Sequence, residues 1–258
     1  MYINGRNAVL EALRSEKGVE KVYIMYGMEG ESITRVRAES SRRGVPCTTI
    51  DRGRFSEIER SAGLGLRSQG VIALIAEIDY VDIEELVLHL FERGASPLVA
   101  ALDGITDPHN VGAVIRSAEC AGLDGLIIGT RHAAGVTDVV MKTSAGAAQH
   151  LPIARPSNVG DILLGLAQEG MSIVALDERG TTDYTTYDFT RPTVIVVGAE
   201  GEGVSGRIRK MADLLLAIPM AGKIASLNAS VAAGVVFFEA MRQRRREVKK
   251  QATPEGMT

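Results

Sequence analysis

Three stretches of the chain place polar residues where local structure gives them little else to do. The first runs from Leu102 to Gly122, LDGITDPHNVGAVIRSAECAG. A strand ending at Asp103, a turn at Asp107-Pro108 and an apolar stripe of Val111, Val114, Ile115 and Ala118 predict a helix that begins near Asn110. Asn110 is then either that helix's cap or a free side chain at its mouth. Arg116 stands among small and apolar neighbours, a costly setting for a charge without a partner anion. It lies about 9 Å along the helix from Asn110, yet long helical side chains lean back toward the amino terminus, so its guanidinium can return to the loop. The plainer reading is an ion pair with Asp103, Asp107 or Asp124.

The second stretch, TVIVVGAEGEGVSGRIRKMAD, holds Gly201-Glu202-Gly203-Val204-Ser205-Gly206, a literal G-x-G-x-x-G between a strand and a helix. A dinucleotide fingerprint belongs on the first strand of a βαβ unit with an acidic residue about 20 positions later. Here Gly222, Lys223 and Ile224 stand at that distance, so the dinucleotide reading is rejected. Glu200 and Glu202 would repel a pyrophosphate; they suit a cationic or hydroxyl-bearing ligand. A loop whose glycines only permit positive φ is the alternative. In the third stretch, LLLAIPMAGKIASLNASVAAGVVFFEAM, an apolar strand ends at Ile218-Pro219-Met220, and Ser226-Leu227-Asn228 leads into a helix rich in small residues. Ser226 or Asn228 as a plain helix cap is the competing role.

These loops need a scaffold. Before residue 77, periodicity predicts helix at 6–15, strand at 19–25, helix at 30–43, strand at 46–50, helix at 54–61 and strand at 70–76. An acidic stretch follows in which Ile83, Leu86, Val87 and Leu90 fall at helical spacing, closed by a Gly-Ala-Ser-Pro breaker. From Pro97, apolar runs PLVAALD, LDGLIIG, HLPIA, MSIVALD, TVIVVG and DLLLAIP alternate with helical segments at 109–121, 137–147, 157–169, 204–211 and 228–247. Such alternation predicts a mostly parallel sheet covered on both faces, with ligands beyond the carboxyl ends of its strands. The domains expected are 1–76, a linker 77–96, and 97–258.

Apolar residues at 45% and charged residues at 24% are ordinary for a globular protein, no apolar run approaches the ~18 residues of a membrane span, and MYINGRNAVLEAL lacks a signal peptide's apolar core. Cys47 and Cys120 make no CxxC motif and are expected to be reduced thiols in a cytoplasmic protein that meets no membrane. The net charge of −3 hides an asymmetry. Arg35, Arg37, Arg42, Arg43, Arg52 and Arg54 crowd the amino-terminal part, and Arg242, Arg244, Arg245, Arg246, Lys249 and Lys250 crowd the tail. Such clusters are either solvated faces or sites that neutralise nucleic-acid phosphates.

Taken jointly, DPHNVGAVIRSAE, GAEGEGVS and IPMAGKIASLNAS resemble the three motifs of the SpoU/TrmH family of RNA 2′-O-methyltransferases, within the SPOUT superfamily. The opening YINGRNAVLEAL with RSQGVIAL is similar to the amino-terminal domain of the RlmB-type members, which methylate a guanosine ribose of 23S ribosomal RNA. The resemblance implies a carboxyl-terminal α/β domain with a deep trefoil knot, an L30e/L7Ae-like amino-terminal RNA-binding domain, a homodimer, and S-adenosylmethionine as cofactor without a metal. It implies catalytic roles for Asn110, Arg116, Glu200, Ser226 and Asn228, and a cofactor site at Gly198, Glu200, Gly201, Gly203, Ile218, Met220 and Leu227. Arg6, Arg42, Arg43, Arg52 and Arg54 are the candidates for contacting RNA. Gln149 departs from the pattern, where a glutamate is expected. The runners-up are a tRNA or resistance-type ribosomal RNA 2′-O-methyltransferase, a non-catalytic RNA-binding protein, and, more remotely, a nicotinamide-dependent oxidoreductase.

Overall fold

The computed structural model describes residues 1–15, 18–64, 68–92 and 96–252 of the 258-residue chain. The contacts divide it into two units, residues 1–80 with 135–138, and residues 81–134 with 139–258.

In the first unit β2 (Val19–Met25) alternates burial along its length, and this sets the layers. Its Val22 and Ile24 face α1 (Arg6–Arg14) and α2 (Glu31–Arg42) through Val9, Leu13, Ile33 and Val36. Tyr23 and Met25 face α3 (Arg52–Ser61), where Phe55 packs with Ile50 and Ile72. The sheet order is β1-β4-β2-β3, with β1 at Tyr2–Asn4, β3 at Cys47–Ile50 and β4 at Val71–Ile75. β1 is absent from the periodicity because three residues are too short to alternate; its register on β4, Tyr2 opposite Leu74, holds it. The 135–138 segment is tied in by hydrogen bonds from Glu77 N to Val136 O (2.9 Å) and from Val136 N to Tyr80 Oη (2.8 Å).

The second unit is built on a sheet ordered β7-β6-β5-β10-β8-β11-β9, with every paired neighbour parallel. Its strands are β5 (Leu98–Asp103), β6 (Gly125–Ile128), β7 (Ile153–Ala154), β8 (Ser172–Leu176), β9 (Thr182–Asp183), β10 (Thr193–Gly198) and β11 (Leu214–Ala217). β10 is buried at all six positions, and the first five of β5 are buried too, which is why both read as unbroken apolar runs. The chain does not add strands in order: it reaches β9 at one edge, returns to place β10 at the centre, then inserts β11 between β8 and β9.

Helices α4 (Ile83–Glu92), α5 (Pro108–Ala121), α6 (Asp138–Thr143), α7 (Val159–Gln168), α8 (Gly206–Met211) and α9 (Ala229–Ala252) complete the order. The acidic stretch read as a linker is packed, since Leu86 and Leu90 of α4 lie in one core cluster with Ile127, Leu163 and Val194. Of its breaker, Gly94 and Ala95 lie outside the described residues, as does Arg67 of the RSQG run. The helix expected at 137–147 breaks after Thr143, because Ala145 (φ +52°) and Gly146 (φ +83°) turn left-handed before a single 3₁₀ turn at Ala147–Gln149. Gln149 therefore ends that turn, exposed.

Part of the basic tail is structural. Arg242 bonds Glu239 through two contacts of 2.6 Å. Half-buried Arg244 donates to the carbonyls of Phe189 (2.8 Å), Arg191 (3.1 Å), Pro97 (3.4 Å) and Ser96. Burial pulls its pKa down, but a guanidinium stays charged at neutral pH. The side chains of Lys249 and Lys250 lie outside the described residues. Replacing Arg244 by Met leaves those carbonyls without their donor and is expected to lower the unfolding free energy by about 2–4 kcal/mol. The exposed Arg245→Met is expected to change it by less than about 0.5 kcal/mol. Urea titration of both variants checks the contrast.

Candidate active site

Asn110 does not cap its helix. α5 begins earlier, at Pro108, with the Asp107 carboxylate accepting from His109 N at 2.9 Å. Proline suits the first helical position, where no N–H is needed. Asn110 thus falls in the first turn with its side chain free, and its Nδ2 donates to Glu200 Oε1 at 2.9 Å. Asn228 does cap, its Oδ1 accepting from Ser230 N (2.9 Å) and Ser230 Oγ (2.6 Å) at the start of α9. The same amide reaches the other way, Nδ2 donating to Asn110 Oδ1 at 2.9 Å and to Glu200 Oε1. Three residues from three separate motifs therefore meet in one hydrogen-bonded cluster. Both bonds to Glu200 fall on Oε1.

Glu200 is held there by a strict backbone constraint. After β10 the loop folds back on itself, with Ala199 N to Gly203 O at 3.1 Å and Gly203 N to Ala199 O at 2.9 Å. The return brings Gly203 so close to Gly198 that a Cβ on residue 198 would stand 2.1 Å from the Gly203 carbonyl carbon. Gly201 and Gly203 adopt φ of +78° and +69°, which side-chain-bearing residues avoid. The far side of the loop is pinned by Asp103 at the end of β5, whose carboxylate accepts from Ser205 N at 2.6 Å.

Beyond these strand ends lies a cavity of about 820 Å³. Gly198, Glu200, Gly201, Gly203, Ile218, Met220, Ser226, Leu227 and Asn228 all line it. Ser226 is exposed on its rim, and the 218–228 segment crosses it without helix or strand. Asn110 reaches the cavity through its bonds to Glu200 and Asn228. The setting of Arg116 is more open than its small and apolar sequence neighbours suggest. It is exposed on α5, so the cost of a buried charge does not arise, and among the described residues it forms no hydrogen bond or ion pair. The acids that might have neutralised it are spent on backbone N–H groups: Asp103 on Ser205, Asp107 on His109 and Asp124 on Leu98.

Residue-by-residue reading missed Asp177 and Arg209. Buried Asp177 accepts from Arg179 N (2.9 Å) and pairs with Arg209 Nε (2.8 Å), while Arg209 also donates to Val204 O (3.2 Å). The pair ties the end of β8 to the glycine loop and lines the cavity wall. The signal was present, since MSIVALD ends a strand where ligands gather. Among the described residues no cluster of His, Cys, Asp and Glu could hold a metal, and no helix is long and apolar enough to cross a membrane. Cys47 is half-buried, Cys120 exposed, and neither is in a disulfide.

The RNA candidates separate into two groups. Arg6 is used internally, donating to Gln69 O (3.2 Å) and Ser32 Oγ (3.0 Å). Arg42 pairs with Glu39, and Arg43 donates to the carbonyls of Arg14 (2.8 Å) and Ser15 (3.1 Å). Arg52 and Arg54 are exposed, and among the described residues their guanidinium groups form no hydrogen bond or ion pair.

A parallel sheet covered on both faces, with a polar cluster and a ligand-sized cavity beyond its strand ends, defines an α/β protein of the ligand-binding enzyme class. The family model described as "SpoU rRNA Methylase family" matches residues 97–238, and "RNA 2'-O ribose methyltransferase substrate binding" matches residues 2–81. The chain belongs to the SpoU rRNA methylase family and is an RNA methyltransferase. It is 40% identical over 242 residues to an uncharacterized tRNA/rRNA methyltransferase of Mycobacterium sp. (strain KMS), covering 93% of this chain and 76% of that one. With the putative TrmH family tRNA/rRNA methyltransferase YacO of Bacillus subtilis (strain 168) it shares 32% identity, across 94% and 96% of the two chains. The SpoU methyltransferase AviRb from Streptomyces viridochromogenes, solved in complex with AdoMet, superposes with a TM-score of 0.60 at 25% identity, covering 95% of this chain and 91% of that one.

The glycine loop generates a direct test. Gly198→Ala must push the 199–203 turn away from β10, so the variant is expected to lose about 1–3 kcal/mol of stability. Faster amide exchange at Ala199 and Gly203 should accompany it, and unchanged protection there would show that the close approach is not needed.

Proposed function

We propose that the protein transfers the methyl group of S-adenosylmethionine to a ribose 2′-hydroxyl of RNA, with a guanosine of 23S ribosomal RNA as target. The observation that carries the reading is the Asn110–Glu200–Asn228 cluster on the rim of the 820 Å³ cavity. The cavity fits the cofactor in size and chemistry, since ligand sites of this kind run to about 300–1,000 Å³. Ile218, Met220 and Leu227 offer apolar surface to an adenine, the backbone of Gly198, Gly201 and Gly203 lines the wall, and Glu200, Glu202 and Asp177 suit a sulfonium and an ammonium. When bound, the cofactor supplies an activated methyl group for in-line displacement.

The chain's own residues must hold the nucleophile, remove its proton and balance its charge. Asn110 and Asn228 fix Glu200 through Oε1, which leaves Oε2 to accept the hydroxyl proton. Ser226 positions the ribose at the rim, and Asn228 acts there through the carboxylate and amide it holds. Arg116, exposed and unpaired among the described residues, holds the adjacent phosphate and the developing alkoxide. A guanidinium does not act as general base because it stays protonated.

The assembly we infer is a cytoplasmic homodimer whose 218–228 loop crosses a deep trefoil knot. Val231 and Phe238 lie seven residues apart on α9, 50% and 44% exposed, and Ile224 is 78% exposed nearby in sequence, an apolar surface that a second copy would cover. Sedimentation that gives a monomer at micromolar concentration would remove the dimer from this reading.

Arg116→Ala and Glu200→Gln are each expected to lower methyl transfer about 10²- to 10³-fold while leaving cofactor affinity, measured by calorimetry, within about threefold. A native rate in Arg116→Ala would overturn its role. Mapping ribose methylation in a deletion strain tests the substrate: the mark should vanish from a 23S guanosine, and loss from tRNA alone would replace the ribosomal target.

A further inference from the structure

The parallel pairing of β2 with β3 brings two loops to one end of the small sheet. Met25 stands opposite Ile50, and Tyr26 N donates to Ile50 O at 2.7 Å, so Tyr26 leaves the sheet beside the entry to α3 and its Arg52 and Arg54. The chain then turns at Gly27 (φ +81°), and the Tyr26 side chain is left 79% exposed, an unusual position for an aromatic residue. Arg52 and Arg54 open α3 two and four residues after Ile50, the strand end to which Tyr26 is hydrogen-bonded, and both are exposed. Of the nearby acids, Asp51 caps α3 by accepting from Arg54 N at 3.0 Å and its charge also acts on Arg54, Glu31 pairs with Arg35, and Glu57 lies one turn along α3 from Arg54. Glu29 lies past the Gly27 turn.

We propose that Tyr26, Arg52 and Arg54 form a landing site for unpaired nucleotides of RNA, one base stacking on the Tyr26 ring while flanking phosphates lie against the two guanidinium groups. The inference rests on the reading of the chain as an RNA methyltransferase, and it specifies the feature of the RNA that the first unit grips. An exposed ring stacks with any base whose face is open, whereas a duplex hides its base faces and offers phosphates and groove edges. Arg6, Arg42 and Arg43, being used internally, leave these two cations as the ones ready to meet phosphate.

The test uses the full chain without cofactor and a single-stranded oligonucleotide of about 12 nucleotides carrying 2-aminopurine, against a duplex of equal length. The expected result is tighter binding of the single strand with quenching of the probe. Tyr26→Ala should lose about tenfold in affinity together with the quench, Tyr26→Phe should keep both, and Arg52→Gln should lower the salt dependence of binding by about one phosphate contact. Tyr26 is exposed, so its variants are expected to melt with the native chain. Native affinity and quench in Tyr26→Ala would overturn the proposal, as would equal binding of duplex weakened only by the arginine variants. Failed stacking with intact methyl transfer rejects this site alone, and intact stacking without methyl transfer rejects the functional reading alone.

Discussion

Pairing of β10 with β5 on one side and β8 on the other is the constraint from which the site follows. The register sets Gly198 opposite Asp103 and Val197 opposite Leu176, so three strands end together although their sequences are far apart. From these ends depart the loop that carries Glu200, the loop that leads to Asn110, and the turn that holds Asp177. β10 is buried throughout and paired on both sides, so a slip in its axial position would break both ladders and misfit its valine and isoleucine side chains against the packed layers. Positional accuracy at the site is therefore inherited from hydrophobic burial rather than created by the polar groups, whose individual hydrogen bonds are worth only about 1 kcal/mol each.

Glu200 shows how that inheritance is refined. A carboxylate on a glycine-rich loop has wide freedom unless the loop is closed, and closure here depends on two backbone bonds between Ala199 and Gly203 with no room for a side chain on Gly198. Asp103 and the Asp177–Arg209 pair then brace the loop from opposite sides. Two asparagines complete the arrangement with neutral donors, which orient the carboxylate without neutralising it.

Much of the scaffold was legible in the sequence. Buried parallel strands announce themselves as continuous apolar runs, and β5, β6, β8 and β10 fall inside the expected segments. Strands β1 and β9, of three and two residues, carry no periodicity and exist only through their partners. The segment expected at 109–121 lies within a residue of α5, and the cap was left open because an asparagine and a preceding aspartate compete for it. The outcome matters, since only with Asp107 as cap is Asn110 released toward Glu200. Charge clusters were legible as composition and opaque as function. Arg6, Arg43 and Arg244 look like any surface arginine in the sequence, yet each satisfies backbone carbonyls. Strand order was out of reach, since nothing local says that β11 enters between β8 and β9.

That entry has a cost in biogenesis. While the chain is being synthesised, β8 is complete before residues 214–217 exist to cover its outer edge, so that edge stays open during the interval, and residues 182–183 do not yet have the strand they pair with. The missing strand adds to the free edge of β8 and in turn gives residues 182–183 the strand they pair with, so its pairings on both sides link distant parts of the chain. Topologies of that kind mature slowly. A ribosome that stalls or terminates shortly before Leu214 would release a product with most of its core and no seam down one side, a natural substrate for chaperones and proteases.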